Sequence, residues 1–318
     1  MWQGHQPSPR VRSCPCRWRG TAVSDYIKAL DNVGAVCHAD PNTFAKFEKM
    51  GFTLYPLGRQ GVKVAGLFIK AGTGSVAAHF RDGGYFEMIS IYSRLLPTGG
   101  YKKLLVTQGE RLVKLTLELT DAKRETLRVK ETGPLAGSVF GPMEFRRVFT
   151  SATQGKQDAR FSIMGYPFPK DYPINVLGTE HLTPSVTWQD DLLDHPNGAR
   201  LLANALVAVD DIEEAASTYE TILTLPFDRE ENDKRVCRFS NNSRLTLVSR
   251  SGLKSEFPEI DADSDPFVAA VYFGVSSLDR AREILTRNEV PFESRHDQLV
   301  VPHTYVLSST FVFEQVSG

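Results

Sequence analysis

Apolar and polar residues alternate in "VKLTLELT" (113–120). Val113, Leu115, Leu117 and Leu119 fall on one face, and Lys114, Thr116 and Glu118 fall on the other. A period of two is that of a β-strand with one buried face. The apolar face suits packing under helices, and the polar face should line a concave surface. Other stretches carry a helical period. In "LDNVGAVCHADPNTFAKFEKMGF" (30–52) a strand-like run precedes Phe44, Phe47 and Met50 at helical spacing, and Gly51 supplies a stop. "ANALVAVDDIEEAASTYETILTLPF" (203–227) repeats the arrangement with Ile212, Ala215, Ala216, Tyr219, Ile222 and Leu223 on the inner face.

Two more stretches follow the same plan. "RLVKLTLELTDAKRETLRVKETG" (111–133) is an alternating strand before a charged helix. "FVAAVYFGVSSLDRAREILTRNEVPF" (267–292) places Ala281, Ile284 and Leu285 inward. Each is followed by strand-like runs such as "YFEMISIY", "RLTLVSR" and "TYVLSSTFVFEQ". The pattern predicts four βαβββ units, near residues 28–95, 109–165, 200–250 and 266–316. The expected division is a first domain over 28–165, a connection over 166–198 and a second domain over 199–318. "TEHLTPSVTWQDDLLDHPNGA" (179–199) falls in that connection, and its Pro-Asn-Gly run signals a turn. The glycines of "AGTGS" (71–75) lack a following lysine and helix, so a turn between strands is expected in place of a phosphate loop.

With 318 residues, 41% hydrophobic and 24% charged, the chain has the make-up of a globular protein with two cores. A net charge of −1 creates no field favouring nucleic acid or an anionic membrane, and no run is apolar enough to span a bilayer. A cytoplasmic monomer or homodimer is expected, with no nucleic-acid or membrane partner. Cys14, Cys16, Cys37 and Cys237 are too few for a disulfide framework, so reduced thiols are expected. Residues 1–27, rich in arginine at the start, read as a disordered tail or an early start.

The strand–helix–turn stretch 30–52, "AHFRDGGYFEMISIY" and the pair "EHLTPSVTW" and "DHPNGARLLANALVAV" resemble the vicinal oxygen chelate superfamily, specifically its glyoxalase-like domain proteins. The resemblance covers residues 28–316. It implies an α+β fold in which four tandem βαβββ units form two glyoxalase/bleomycin-resistance-like domains. Each pair of units would curl its sheet into a cup that holds a metal or a small ligand.

In metal-dependent members the first strand of a unit begins with an inward His, and a last strand brings in a Glu. Aligned on that pattern, the chain offers Asn32, Lys114, Asn204 and Ala270 for the histidines. Only Glu87 stands at a carboxylate position; Thr246 matches it in the third unit, and Thr310 or Phe311 in the fourth. Amides are weak ligands for transition metals and an ammonium repels them. No metal or other cofactor is therefore expected, with a divalent ion as the alternative.

Strand alternation puts Asn32, Gly34, Val36 and His38 inward, and Asn32 and His38 about 20 Å apart at roughly 3.3 Å per residue. "AHFRDGGYFEM" reads as a hairpin. A three-residue loop, Asp82–Gly84, would set His79 across from Glu87 and Phe80 across from Phe86. Glu87 and His79 are then the candidate catalytic pair, a base at neutral pH. Asn32, Lys114, Thr116 and Glu118 are candidate substrate-binding residues, as are His181 and His195, which resemble recurrent residues of the group. The second cup, with Asn204, Leu206, Thr246 and Ala270, should be drier.

Three functions fit. One is lyase- or isomerase-type proton chemistry on a small oxygenated metabolite in the first cup. Another is metal-free sequestration of a small molecule, as in drug-resistance relatives. The third, a metal-dependent ring-cleaving dioxygenase, is the poorest fit.

Overall fold

A computed structural model describes residues 24–93, 95–131, 139–151, 153, 155–168, 172–260 and 267–317. Most of the tail expected at 1–27, with Cys14 and Cys16, lies outside them. The last three residues before the first strand are described, and Ser24 is buried with its amide donating to Thr224 O at 3.1 Å.

The chain is α+β and forms two eight-stranded sheets. The first unit is β1 (Ile27–Cys37), α1 (Pro41–Lys49), β2 (Tyr55–Val64), β3 (Leu67–His79) and β4 (Tyr85–Ile91). A helix α2 (Tyr101–Gln108) follows it. The second is β5 (Arg111–Leu119), α3 (Ala122–Glu131), β6 (Phe140–Ser151), β7 (Gly155–Gly165) and β8 (Asn175–His181). These eight strands close into a barrel in the order β1-β4-β3-β2-β6-β7-β8-β5. The closing seam pairs β2 with β6, with Gln60 opposite Arg147 and Val62 opposite Phe145.

β8 corrects the expectation that everything between Gly165 and Gly198 belongs to no unit. Asn175–His181 pairs with both β5 and β7 and supplies the last strand of the second unit. The remainder of that stretch, with a short helix α4 (Pro184–Thr187), does join the two sheets. "AGTGS" is corrected as well: it runs inside β3. The glycines are there for close approach, since a Cβ on Gly74 would stand 3.0 Å from Gly58 O, and one on Gly72 would collide with Ser93 O.

The second sheet takes β9 (Ala199–Val209), α5 (Ile212–Leu223), β10 (Asp228–Glu230), β11 (Lys234–Arg238), β12 (Arg244–Ser249) and α6 (Arg250–Glu256). It continues with β13 (Phe267–Val275), α7 (Leu278–Arg287), β14 (Glu293–Arg295), β15 (Gln298–Val301) and β16 (Thr310–Gln315). It stays open, in the order β10-β11-β12-β9-β13-β16-β15-β14. Its cup is filled from within: Leu253, Phe257 and Ile260, on and after α6, pack on Leu206, Ala208, Ala270 and Tyr272.

The expected helix faces are those observed. Asp40 and Asp211 cap α1 and α5 through their side chains, and Phe47, Met50, Tyr219 and Ile222 are buried. One apolar cluster joins both sheets, with Phe47, Phe52 and Phe86 against Phe273, Phe311 and Phe313. Among the described residues no helix is long and apolar enough to cross a membrane, and Cys37 and Cys237 are free, buried thiols.

Candidate functional site

The barrel encloses a cavity of about 400 Å³. Its charged floor comes from three strands. Glu87 on β4 pairs with Lys114 on β5, and Arg147 on β6 lies 3.5 Å from Glu87 Oε1. Ser75 Oγ and Gln60 Nε2 donate to the same oxygen at 2.7 and 3.2 Å, and Thr73 Oγ1 holds Gln60 by its carbonyl at 2.7 Å. Arg147 also donates to Ser75 O at 3.0 Å and stacks on Phe149. The walls are apolar and aromatic: Tyr85, Tyr101, Phe145, Phe161, Ile163 and Leu177 among them.

Burial works against the Glu87 charge, but Lys114, Arg147 and the Ser75 hydroxyl outweigh it and hold the carboxyl down at about 2. Such a carboxylate is a weak base at neutral pH. Burial raises the Tyr85 phenol, with Asp31 and Glu87 adding to it, and raises Tyr101, with Glu87 adding. Both therefore stay protonated and can donate.

Of the eight expected site residues, Glu87 and Lys114 line the cavity. The hairpin register corrects the His79–Glu87 pair: His79 stands opposite Tyr85, Glu87 opposite Ala77, and Phe86 opposite Ala78. The turn is longer than three residues because its tip is drawn to the second sheet. Asp82 N donates to Arg200 O at 2.7 Å and Leu202 N to Gly83 O at 3.1 Å. His79 is fully buried outside the cavity lining, boxed by Tyr55, Tyr85, Phe149 and Trp188. Burial, then the nearby Arg147 charge, push its imidazole well below the usual range, so it stays neutral.

Asn32, Thr116 and His181 belong to a separate buried relay. Thr116 Oγ1 donates to Asn32 Oδ1 at 3.2 Å, and Asn32 Nδ2 donates to Asp31 Oδ2 at 2.7 Å. His181 Nε2 meets Asp31 Oδ1 at 2.6 Å. Glu118 instead pairs with Lys28 toward the surface at 2.7 Å. His195 fastens the connection: Thr53 N donates to its Nδ1 at 3.0 Å, so the proton lies on Nε2, which donates to His79 O at 2.9 Å. Trp188 Nε1 donates to Phe80 O, and Asn197 Nδ2 to Met50 O. Residues 182–198 are thus a seam.

Sequence reasoning missed Arg147, Gln60, Ser75, Tyr85, Tyr101 and Asp31. One signal was available: in "MEFRRVF" a period of two sets Arg147 on the same face as Phe145 and Phe149.

The alternation expected in β5 breaks at one point. Gly34 pairs with Lys114 but Ala35 with Leu112, so Val113 is a bulge residue. It leaves the face of Leu115 and packs with Val36 and Leu105 beneath α2.

The floor does not suit a divalent cation. Both oxygens of Glu87 are engaged, two of its partners are positive, and a metal would sit beside both charges. Among the described residues no three or more His, Cys, Asp or Glu side chains converge as ligands. In the second sheet the register equivalents of Glu87 and Lys114, opposite Leu206, are Thr246 and Ala270, so no charge pair stands at those two positions.

Paired βαβββ units with a ligand-sized cavity inside the first pair define a vicinal-oxygen-chelate fold. The chain belongs to the glyoxalase-like domain family, which matches residues 30–223. No curated protein matches it. Among solved structures, a hypothetical protein from Staphylococcus aureus superposes with a TM-score of 0.57 at 10% identity, covering 91% of this chain and 100% of that one. A triple-substitution variant of 4-hydroxymandelate synthase from Streptomyces coelicolor gives 0.58 at 13% identity, covering 92% and 94%. A xylose isomerase-like TIM barrel/4-hydroxyphenylpyruvate dioxygenase fusion protein gives 0.53 at 11%, covering 94% of this chain and 51% of that one. At these identities the likeness is one of fold.

Proposed function

We propose that the barrel is a metal-free receptor that sequesters a small molecule with an apolar or aromatic body and oxygen acceptors. One observation carries the reading: Glu87, the carboxylate a metal or a proton-transfer reaction would need, is neutralised by Lys114 and Arg147 at the floor of an apolar-walled cavity. The volume, about 400 Å³, is within the range of small-ligand pockets. Lyase or isomerase chemistry by Glu87 and His79 is disfavoured, because the first is a weak base and the second is not among the residues that line the cavity.

The test is calorimetric binding of apolar small molecules to chelator-treated protein, with metal analysis of an untreated sample. Saturable one-to-one binding, indifferent to chelation and abolished by filling the cavity with Ile163→Trp, is the expected result. About one equivalent of metal that is required for binding would overturn the reading. So would turnover that Glu87→Gln abolishes while leaving binding intact.

A further inference from the structure

Of the charged residues that line the cavity, three are cations, Lys114, Arg146 and Arg147, and one is an anion, Glu87. Arg146 is already paired with Asp158. That leaves Lys114 and Arg147 against Glu87 alone, a surplus of one positive charge in a buried setting. Buried charge without a counter-charge is costly, so the floor favours an occupant that brings one negative charge. The other nearby carboxylate, Asp31, lies outside the lining and is held by His181 and Asn32.

Neutral donors point the same way. The hydroxyls of Tyr85 and Tyr101 border the cavity and make no hydrogen bond to another described residue. A phenol donates well to an anionic oxygen, and hydrogen bonds to charged groups are stronger than neutral ones. Above the floor the walls carry the rings of Phe140, Phe145 and Phe161 beside Met143 and Ile163, which suits a flat apolar body.

Resting on the receptor reading, we infer that the ligand is an organic monoanion, a carboxylate on an aryl or branched-alkyl body. Its head group is recognised by Lys114 and Arg147 together with the Tyr85 and Tyr101 hydroxyls. A dianion would exceed the single surplus charge, and an amine would add to it.

The experiment is titration calorimetry with matched series on one body: 3-phenylpropanoate, its amide and 3-phenylpropylamine, then the same three forms on naphthyl and branched-alkyl bodies. The carboxylate is expected to bind at least tenfold more tightly than its amide, and the amine not to bind. Lys114→Met should erase the carboxylate's advantage while sparing the amide. Glu87→Gln raises the surplus charge and should tighten the carboxylate several-fold, a change a merely structural role would not produce. Amides that bind as tightly as carboxylates would overturn this inference and leave the receptor reading standing. Failure of every carboxylate and amide to bind would overturn both.

Discussion

Gly34 and Lys114 stand opposite each other on β1 and β5, and the lysine Cε lies 2.7 Å from where a Cβ on residue 34 would be. The glycine is therefore what lets the lysine stem lie across β1 and reach Glu87. Gly34→Ala should displace that stem and lower stability by about 1–3 kcal/mol, as overpacking does. In Gly34→Ala/Lys114→Ala the clashing atom is gone, so the two losses should sum to more than the double variant shows. Urea unfolding of the four proteins checks this, and strict additivity would count against it.

The members of the floor cluster are not equivalent. Removing Lys114 leaves Glu87 with Arg147, Ser75 and Gln60 and a cluster near neutrality. Removing the Glu87 charge leaves two buried cations facing each other. Glu87→Gln should therefore cost about 3–5 kcal/mol, the range for breaking a buried pair, and Lys114→Met distinctly less. The sign with pH follows from the depressed carboxyl. Its contribution is complete above about 4.5 and is lost as pH falls towards 2. Denaturant midpoints for both variants at pH 7 would settle the order.

His195 sets a second acid dependence at higher pH. Burial holds its imidazole down at about 4, against the pull of its bond to His79 O. A folded value below the ordinary 6.5 means the unfolded chain binds the proton first. The stabilising contribution is full above about 6.5 and shrinks as pH falls towards 4. By pH 4.5 the loss from His195 is about 2–3 kcal/mol. His79, also held low, adds in the same direction. His195→Gln should flatten the melting curve between pH 6.5 and 4.5, and an unchanged slope would remove His195 from the account.

What could be read from the sequence was what short-range periodicity controls. Phe47 on one helix and Met50 at its end, Tyr219 and Ile222 on another, sit where a period of 3.6 put them, and Glu87 is the one charged residue in a buried strand. Arg147 and Gln60 were hidden because they meet only at the β2–β6 seam, a pairing between strands some eighty residues apart. His79 was misplaced because the hairpin's turn answers to β9 in the other sheet, which local sequence does not encode. Val113 shows the same limit on a smaller scale: one bulge reverses a face that strict alternation assigns.

Phe257 offers the test of whether the second cup is structural. Its ring is buried against the open sheet with Leu253 and Ile260, and Arg295 stacks on it at 5.4 Å. The positions that match Glu87 and Lys114 are neutral there, Thr246 and Ala270; Thr246 Oγ1 donates to Asn204 Oδ1 at 2.9 Å, and Tyr272 OH donates to Glu256 Oε1 at 3.0 Å. Phe257→Ala should lower stability by about 3–5 kcal/mol through lost burial and the void it leaves. A void lined by Leu206, Ala208 and Ala270 is apolar enough to stay dry and admit benzene, which should restore part of the lost melting temperature. Ligand affinity of the barrel should be unchanged, because Phe257 is not among the residues lining its cavity. A Phe257→Ala protein that melts normally but loses barrel ligands would mean that the second cup governs the first.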